Sequence, residues 1–203
     1  MMQLAASEIS PFVRKVRLTI AIKGLEREIE SVTADSDEAR HAARRARNPL
    51  GKIPTLILDD GTAVYDSHVI CEYLDSLKPE PRLFPAGGQE RLRALTLGAL
   101  SDGIAEAAVL IVYERRFRPE DKYVASWVDK QQGKIEAGLD HLEKDPPAWH
   151  GHPDYGHVAL ASTLAFLDIR QAGKWREHRP KLAAWLGRFA EAVPAFAGTI
   201  PKS

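Results

Sequence analysis

Residues 48–56 read "NPLGKIPTL", which puts a proline directly ahead of a β-prone run. Proline has no amide hydrogen to give to a sheet, so Pro54 belongs at the first residue of a strand or on an edge. An X-Pro bond is also the place where a cis peptide costs little. If Ile53-Pro54 is cis, the bend leaves the Ile53 amide and carbonyl turned toward solvent, ready to grip an extended peptide backbone. Read alone, the stretch is also accounted for by an ordinary edge-strand proline.

Upstream, "DEARHAARRAR" (37–47) has the alanine and arginine content of a helix, closed by Asn48-Pro49. Before it, "REIESV" (27–32) reads as a strand, and "PFVRKVRLTIAIKG" (11–24) as a helix with Val13, Val16 and Ile20 on one face and Gly24 at its end. "MQLAA" (2–6) is a short strand. Downstream, "TLILDD" (55–60) and "AVYD" (63–66) flank Asp59-Asp60-Gly61-Thr62, whose Asp-Gly favours a tight hairpin turn. "SHVICEYLDSLK" (67–78) then spaces Ile70, Tyr73, Leu74 and Leu77 as one face of an amphipathic helix. The order is βαβ, then αββα.

The pattern changes after residue 78. "KPEPRLFPAGG" (78–88) holds three prolines and two glycines, which favour turns over regular structure. Beyond it the spacing predicts only helices, over about 89–117, 120–143, 154–173 and 180–192; in the last, Leu182, Trp185, Leu186, Phe189 and Val193 form an apolar stripe. The expected organisation is an α/β domain over 1–78, a linker over 79–88 and an all-helical domain over 89–203.

Lys plus Arg and Asp plus Glu each total 28, so no basic field exists to hold nucleic acid or an anionic membrane surface. The lone cysteine, Cys71, excludes an intrachain disulfide framework and leaves a thiolate metal cluster almost without ligands. The N-terminus carries no export pattern, and no apolar run approaches the ~20 residues of a membrane span. A cytoplasmic protein without a metal is expected.

Two helix starts offer chemistry. Ser10 suits an N-cap and Pro11 the first helical position, where the missing amide would be orphaned anyway. That is a helix start in its own right; alternatively the hydroxyl and the free amides face a ligand anion at the positive end of the helix dipole. In "YDSHVICEYLD", Ser67 can cap the helix; alternatively this N-terminus takes a ligand carboxylate while Asp66 accepts from a ligand ammonium, together matching an amino-acid head group.

In combination, S-P-F opening the first helix, N-P-x-G-K-I-P-T-L before the third strand and D-S opening the third helix resemble the glutathione transferase family, down to their spacing. "ALASTLAFLDIR" and "RPKLAAWLGRFAEAVPAF" look like the helical C-terminal domain of bacterial members. The resemblance implies a thioredoxin-like N-terminal domain, an all-α C-terminal domain, a homodimer, and glutathione as co-substrate with a hydrophobic electrophile. Ser10 stands where tau-like members have serine and omega-like members cysteine. A serine cannot act as a thiolate, so it is expected to donate a hydrogen bond to the glutathione sulfur and favour S⁻, with Ser7 as the rival hydroxyl. The same resemblance sets the Ile53 backbone, beside Pro54, against the cysteinyl part of glutathione, and Asp66 with Ser67 around its γ-glutamyl group. Asp66 is shorter than the glutamate of many relatives. Lys52 either approaches the glycyl carboxylate or is a solvated loop lysine.

The electrophile is expected between Phe12 and the first helices of the second domain, near Val109, Tyr113 and Arg116. Tyr113 and Arg116 share a helix face; the alternative is a core-edge tyrosine and a solvated arginine. Conjugation is the leading reaction; a glutathione-dependent reductase, peroxidase, dehalogenase or isomerase, or a non-catalytic glutathione-binding scaffold, stand as alternatives. Where relatives have a Ser or Thr to Asp capping box, this chain has Asp154 and His157, a pair with a less predictable reciprocal bond. His150 and His152 read as solvated loop residues, and Cys71 as a buried, inert thiol.

Overall fold

The computed structural model describes residues 1–33, 38–148 and 151–200. By contacts the chain divides into Met1–Pro85 with Val193–Ser203, and Ala86–Ala192.

The first unit is built on a sheet of four strands, ordered β2-β1-β3-β4, among the described residues. β1 (Met2–Ala6) runs parallel to β2 (Ile29–Thr33) and antiparallel to β3 (Thr55–Ile57), which pairs antiparallel with β4 (Ala63–Val64). Alternation along β1 sends Met2, Leu4 and Ala6 into the core, where Leu4 lies opposite the equally buried Leu56. The β3–β4 connection is a tight turn at Gly61 (φ +87°), as Asp-Gly predicted. There the Thr62 amide donates to Asp60 at 2.8 Å and holds its carboxyl below the usual range.

Helix α1 (Pro11–Ile22) buries Val13, Val16 and Ile20 and stops where Gly24 turns left-handed at φ +60°. The Leu25 amide then reaches back to the Ile20 carbonyl at 2.9 Å, and that of Gly24 to Ala21 at 3.1 Å, the paired bonds of a Schellman end. Helix α2 (Glu38–Arg47) follows β2. Helix α3 (Ser67–Leu77) packs on α1 through a face rotated from the expected one. Ile70, Cys71 and Leu74 are buried as predicted, but Leu77 is exposed and Asp75 takes an inward position. Asp75 faces in because Lys23 does: Lys23 Nζ donates to Asp75 at 2.8 Å and to the carbonyls of Lys78 and Pro81, while Asp75 accepts the amides of Leu83 and Phe84, both at 2.9 Å. This buried ion pair ties residues 78–84 down.

The stretch from Val193, which the sequence reading kept with the helices, groups with the sheet unit. The cause is Arg14, buried on α1, which donates to the Thr199 hydroxyl at 3.1 Å and the Phe196 carbonyl at 3.2 Å while lying over the Phe196 ring.

The second unit holds α4 (Gly88–Phe117), α5 (Ala125–Lys144), α6 (Tyr155–Arg170) and α7 (Pro180–Ala192). Helix α6 is buried on nearly every side from Tyr155 to Leu167 and forms the centre of the bundle. It approaches α4 closely enough that a Cβ on Gly156 would sit 2.6 Å from the Ala94 carbonyl oxygen. By length and mean hydropathy alone, α4 is also a helix that could cross a membrane, which the sequence reading did not anticipate. Its apolar residues are interspersed with glycine and alanine, and those small residues are where α6 packs. The predicted stripe Leu182, Trp185, Leu186 and Phe189 on α7 is buried. Asp154 and His157 do form a reciprocal box: Asp154 accepts the His157 amide at 3.2 Å, and His157 Nδ1 accepts the Asp154 amide at 3.1 Å.

Candidate functional site

Sheet register decides what lies together in the first unit. β1 ends at Ala6, β3 begins at Thr55 opposite Ala5, and β4 ends at Val64 opposite Leu56. The segments that leave β1, enter β3 and leave β4 therefore emerge at the same end of the sheet. Those segments carry Ser10, Ile53-Pro54 and Asp66-Ser67, so residues 56 positions apart in sequence share one rim. α1 and α3 both present their N-termini at that rim, where the dipoles are positive.

Ser10 is the N-cap of α1, with extended backbone (φ −70°, ψ 126°) and its Oγ accepting the Val13 amide at 3.3 Å. Accepting that bond leaves the hydroxyl hydrogen to donate elsewhere. Pro11 has no amide, and the Phe12 amide has no hydrogen-bond partner among the described residues. The Ser7 carbonyl accepts the Ser10 amide at 3.3 Å, so Ser7 shapes the turn that carries Ser10.

The Ile53-Pro54 peptide is cis. Neither the amide nor the carbonyl of Ile53 is hydrogen-bonded to any described group. The loop is held by Asn48, a buried residue expected from sequence only to close the preceding helix. Asn48 Nδ2 donates to the Lys52 carbonyl and to the Thr55 hydroxyl, both at 3.2 Å, and its Oδ1 accepts the Leu50 amide at 3.0 Å. Thr55 Oγ1 in turn donates to the Lys52 carbonyl at 3.0 Å. The signal was in the sequence: an asparagine closing a helix before Pro, seven residues ahead of Thr. The Lys52 side chain is exposed and makes no ion pair among the described residues.

At α3 the cap is Asp66, not Ser67. Asp66 Oδ1 accepts the His68 amide at 3.0 Å, and Ser67 is the first helical residue, buried. Sequence could not separate them, because both residue types cap well. The Ser67 and Val69 amides of the first turn have no partner among the described residues. This rim thus carries unbonded backbone donors at two helix ends, a hydroxyl with a hydrogen to give, an unpaired peptide at Ile53 and one carboxylate. It is fitted to a short, extended peptide with an anionic end or centre.

Phe12 is half-buried in the first turn of α1. In the second unit, Val109 is half-buried and Tyr113 and Arg116 are exposed on α4. Tyr113 and Arg116 are linked through a residue the sequence reading passed over, Phe117. The Tyr113 and Phe117 rings meet edge to face at 5.2 Å, and the Arg116 guanidinium lies 5.3 Å from the Phe117 centroid. Cys71 is buried on α3, and the Thr19 hydroxyl donates to its sulfur at 3.3 Å. His152 Nδ1 lies 3.2 Å from the Pro153 carbonyl; His150 is outside the described residues.

The family model for the N-terminal domain of glutathione S-transferases matches residues 9–77, and that for the C-terminal domain matches residues 125–188. The uncharacterized GST-like protein YibF of Escherichia coli is 32% identical over 89% of this chain and 90% of its own length. A maleylacetoacetate isomerase of Pseudomonas aeruginosa is 30% identical over 64% of each chain. Among solved structures, a glutathione transferase family member from Pseudomonas fluorescens with bound glutathione superposes with a TM-score of 0.93 at 36% identity, covering 100% of both chains. A second structure of a family member from that species holds S-(propanoic acid)-glutathione, with a TM-score of 0.88, 35% identity and 100% coverage of both chains. Matched in its sheet unit and in its helices, and along nearly the whole of a relative 32% identical to it, the chain belongs to the glutathione S-transferase family.

Proposed function

We propose that the protein is a glutathione transferase that holds glutathione along the rim formed by Ser10, Ile53-Pro54 and Asp66-Ser67 and presents its thiolate to an electrophile. The observation that carries this reading is the convergence of the three segments at one end of the sheet. Neighbouring strands lie about 4.8 Å apart, so β1 to β4 spans about 10 Å, close to the reach of an extended tripeptide. The Ile53 backbone pairs with the cysteinyl peptide. The free amides of α3 bind the γ-glutamyl carboxylate, and Asp66, through the oxygen not committed to His68, accepts from its ammonium. Lys52 approaches the glycyl carboxylate. Ser10 donates its hydroxyl hydrogen to the sulfur, stabilising S⁻ over SH.

Sulfur then forms a bond to the electrophilic carbon, and the leaving group departs with its bonding pair. Holding both partners in one geometry supplies the remaining acceleration. Phe12, Val109, Tyr113 and Arg116 are assigned to electrophile binding. A neighbour that holds a thioether of glutathione supports this reading over disulfide reduction, as does serine at position 10. A homodimer in the cytoplasm accompanies the reading, on the family resemblance.

A second reading, isomerisation, is favoured by the similarity to a maleylacetoacetate isomerase. There the thiolate adds to a double bond and is expelled again, so glutathione is not consumed. The decisive measurement is an ultraviolet titration of the thiolate of bound glutathione in the wild type and in Ser10→Ala. A thiol pKa lowered in the wild type and restored in the variant, with affinity largely kept, is expected. Saturable binding with an unshifted pKa would replace the transferase reading with a binding role.

A further inference from the structure

We infer that the segment from Val193 onward sets the geometry of the helix end that carries Ser10, with Arg14 and Thr199 as positioning residues for the thiolate. This rests on the transferase reading above and adds a determinant of its thiol step. Helix α1 and the segment both lie in the sheet unit. Arg14 belongs to the same turn as Ser10, whose carbonyl accepts the Arg14 amide at 3.0 Å. The Arg14 side chain, 4% exposed, reaches a residue 185 positions away: Nε donates to Thr199 Oγ1 at 3.1 Å, and Nη2 to the Phe196 carbonyl at 3.2 Å. Its guanidinium carbon lies 4.5 Å from the centroid of the Phe196 ring.

The receiving end is shaped around this contact. The Phe196 carbonyl also accepts the Thr199 hydroxyl at 2.9 Å and the Thr199 amide at 3.3 Å. Thr199 Oγ1 therefore accepts from Arg14 and donates to the carbonyl that Arg14 itself reaches, which closes a ring of three groups. Packing alone does not require an arginine here. An apolar side chain at position 14 would cover Phe196 at a lower desolvation cost, whereas a planar fork fixes two acceptors in direction as well as distance. Direction is what the donor to sulfur needs. The Ser10 oxygen already accepts the Val13 amide, and a hydrogen bond weakens steeply as it bends. A turned α1 would thus weaken the bond from Ser10 to sulfur while Ile53 and Asp66, which stand on other segments, keep the rest of the tripeptide.

The test compares glutathione with S-methylglutathione, which fills the same rim without an ionisable thiol, in Thr199→Val, Thr199→Ser and Arg14→Lys. Thr199→Val keeps the shape and removes the hydroxyl. It is expected to raise the thiol pKa of bound glutathione, read from the ultraviolet thiolate band, by about one, a tenfold change in ionisation. Its affinity for S-methylglutathione should stay within about twofold of the wild type, because no bond to that ligand is lost. Arg14→Lys, which keeps the charge and loses the fork, should raise the thiol pKa as well, and Thr199→Ser should keep the wild-type value. An unchanged thiol pKa in either Thr199→Val or Arg14→Lys, or an equal loss of S-methylglutathione binding, overturns the positioning role and leaves the transferase reading standing. A bound thiol in the wild type that titrates as in free glutathione overturns both.

Discussion

The buried side chain of Asn48 donates to the Thr55 hydroxyl 3.2 Å away, and so joins the end of α2 to the start of β3 beneath the Ile53-Pro54 peptide. Replacement by alanine removes three hydrogen bonds and leaves the Leu50 amide to find another partner, while the Lys52 carbonyl keeps only the Thr55 hydroxyl. Asn48→Ala is expected to lower stability by about 1–3 kcal/mol in urea unfolding. On the proposed function, glutathione affinity should fall several-fold as well, because Ile53 loses its support. Full affinity in a destabilised variant would make Asn48 a purely structural residue.

Lys23 and Asp75 form an ion pair whose side chains are 0% and 9% exposed. Lys23→Met would leave the Asp75 carboxylate buried with only the Leu83 and Phe84 amides against it. Removing one partner of such a pair costs about 3–5 kcal/mol. A drop of that size in equilibrium unfolding is expected, with residues 78–84 losing hydrogen-exchange protection first. Unchanged protection there would show that the pair does not hold this segment.

This pair also marks where sequence stops being legible. The strand β1 and the end of α1 at Gly24 are readable because alternation and a left-handed glycine are local signals. The inward face of α3 is not, because periodicity counts apolar residues, and Asp75 is buried for the sake of a lysine 52 positions earlier. Arg14 reaching Phe196 and Thr199 is the same kind of event over a longer span. Asp66 and Ser67 are confused for the opposite reason, since adjacent residues carry identical local signals. The rim residues are legible as a combination, and Phe117 is not, because an exposed phenylalanine runs against composition.

Glycines separate packing from propensity. Gly156→Ala would set a methyl 2.6 Å from the Ala94 carbonyl and 2.9 Å from Leu97 Cβ, neither of which is the end of a flexible chain. A loss of about 1–3 kcal/mol is expected from this overpacking. Gly133 is exposed within α5, and a methyl group there would meet nothing within 4 Å. Gly133→Ala should instead raise stability by about 0.5–1 kcal/mol through helix propensity. Two thermal melts suffice, and a Gly156→Ala melt that is not lowered would contradict the close approach of α4 and α6.

Ser10→Cys probes the rim without removing the cap position. A thiol at the N-terminus of α1 ionises more readily than a free cysteine, because the helix dipole stabilises its thiolate. On the proposed placement that sulfur lies beside the glutathione sulfur. Treated with glutathione disulfide, the variant should form a mixed disulfide: its thiolate attacks one sulfur, the S–S bond breaks, and glutathione thiolate leaves. Intact-protein mass spectrometry should find one glutathione added per chain, reversed by dithiothreitol, with conjugation of electrophiles reduced. The buried Cys71 serves as the internal control, since the wild type carries that thiol and should stay unmodified. A variant that binds glutathione yet resists the disulfide would separate Ser10 from the sulfur and shift the thiolate-stabilising role toward Ser7.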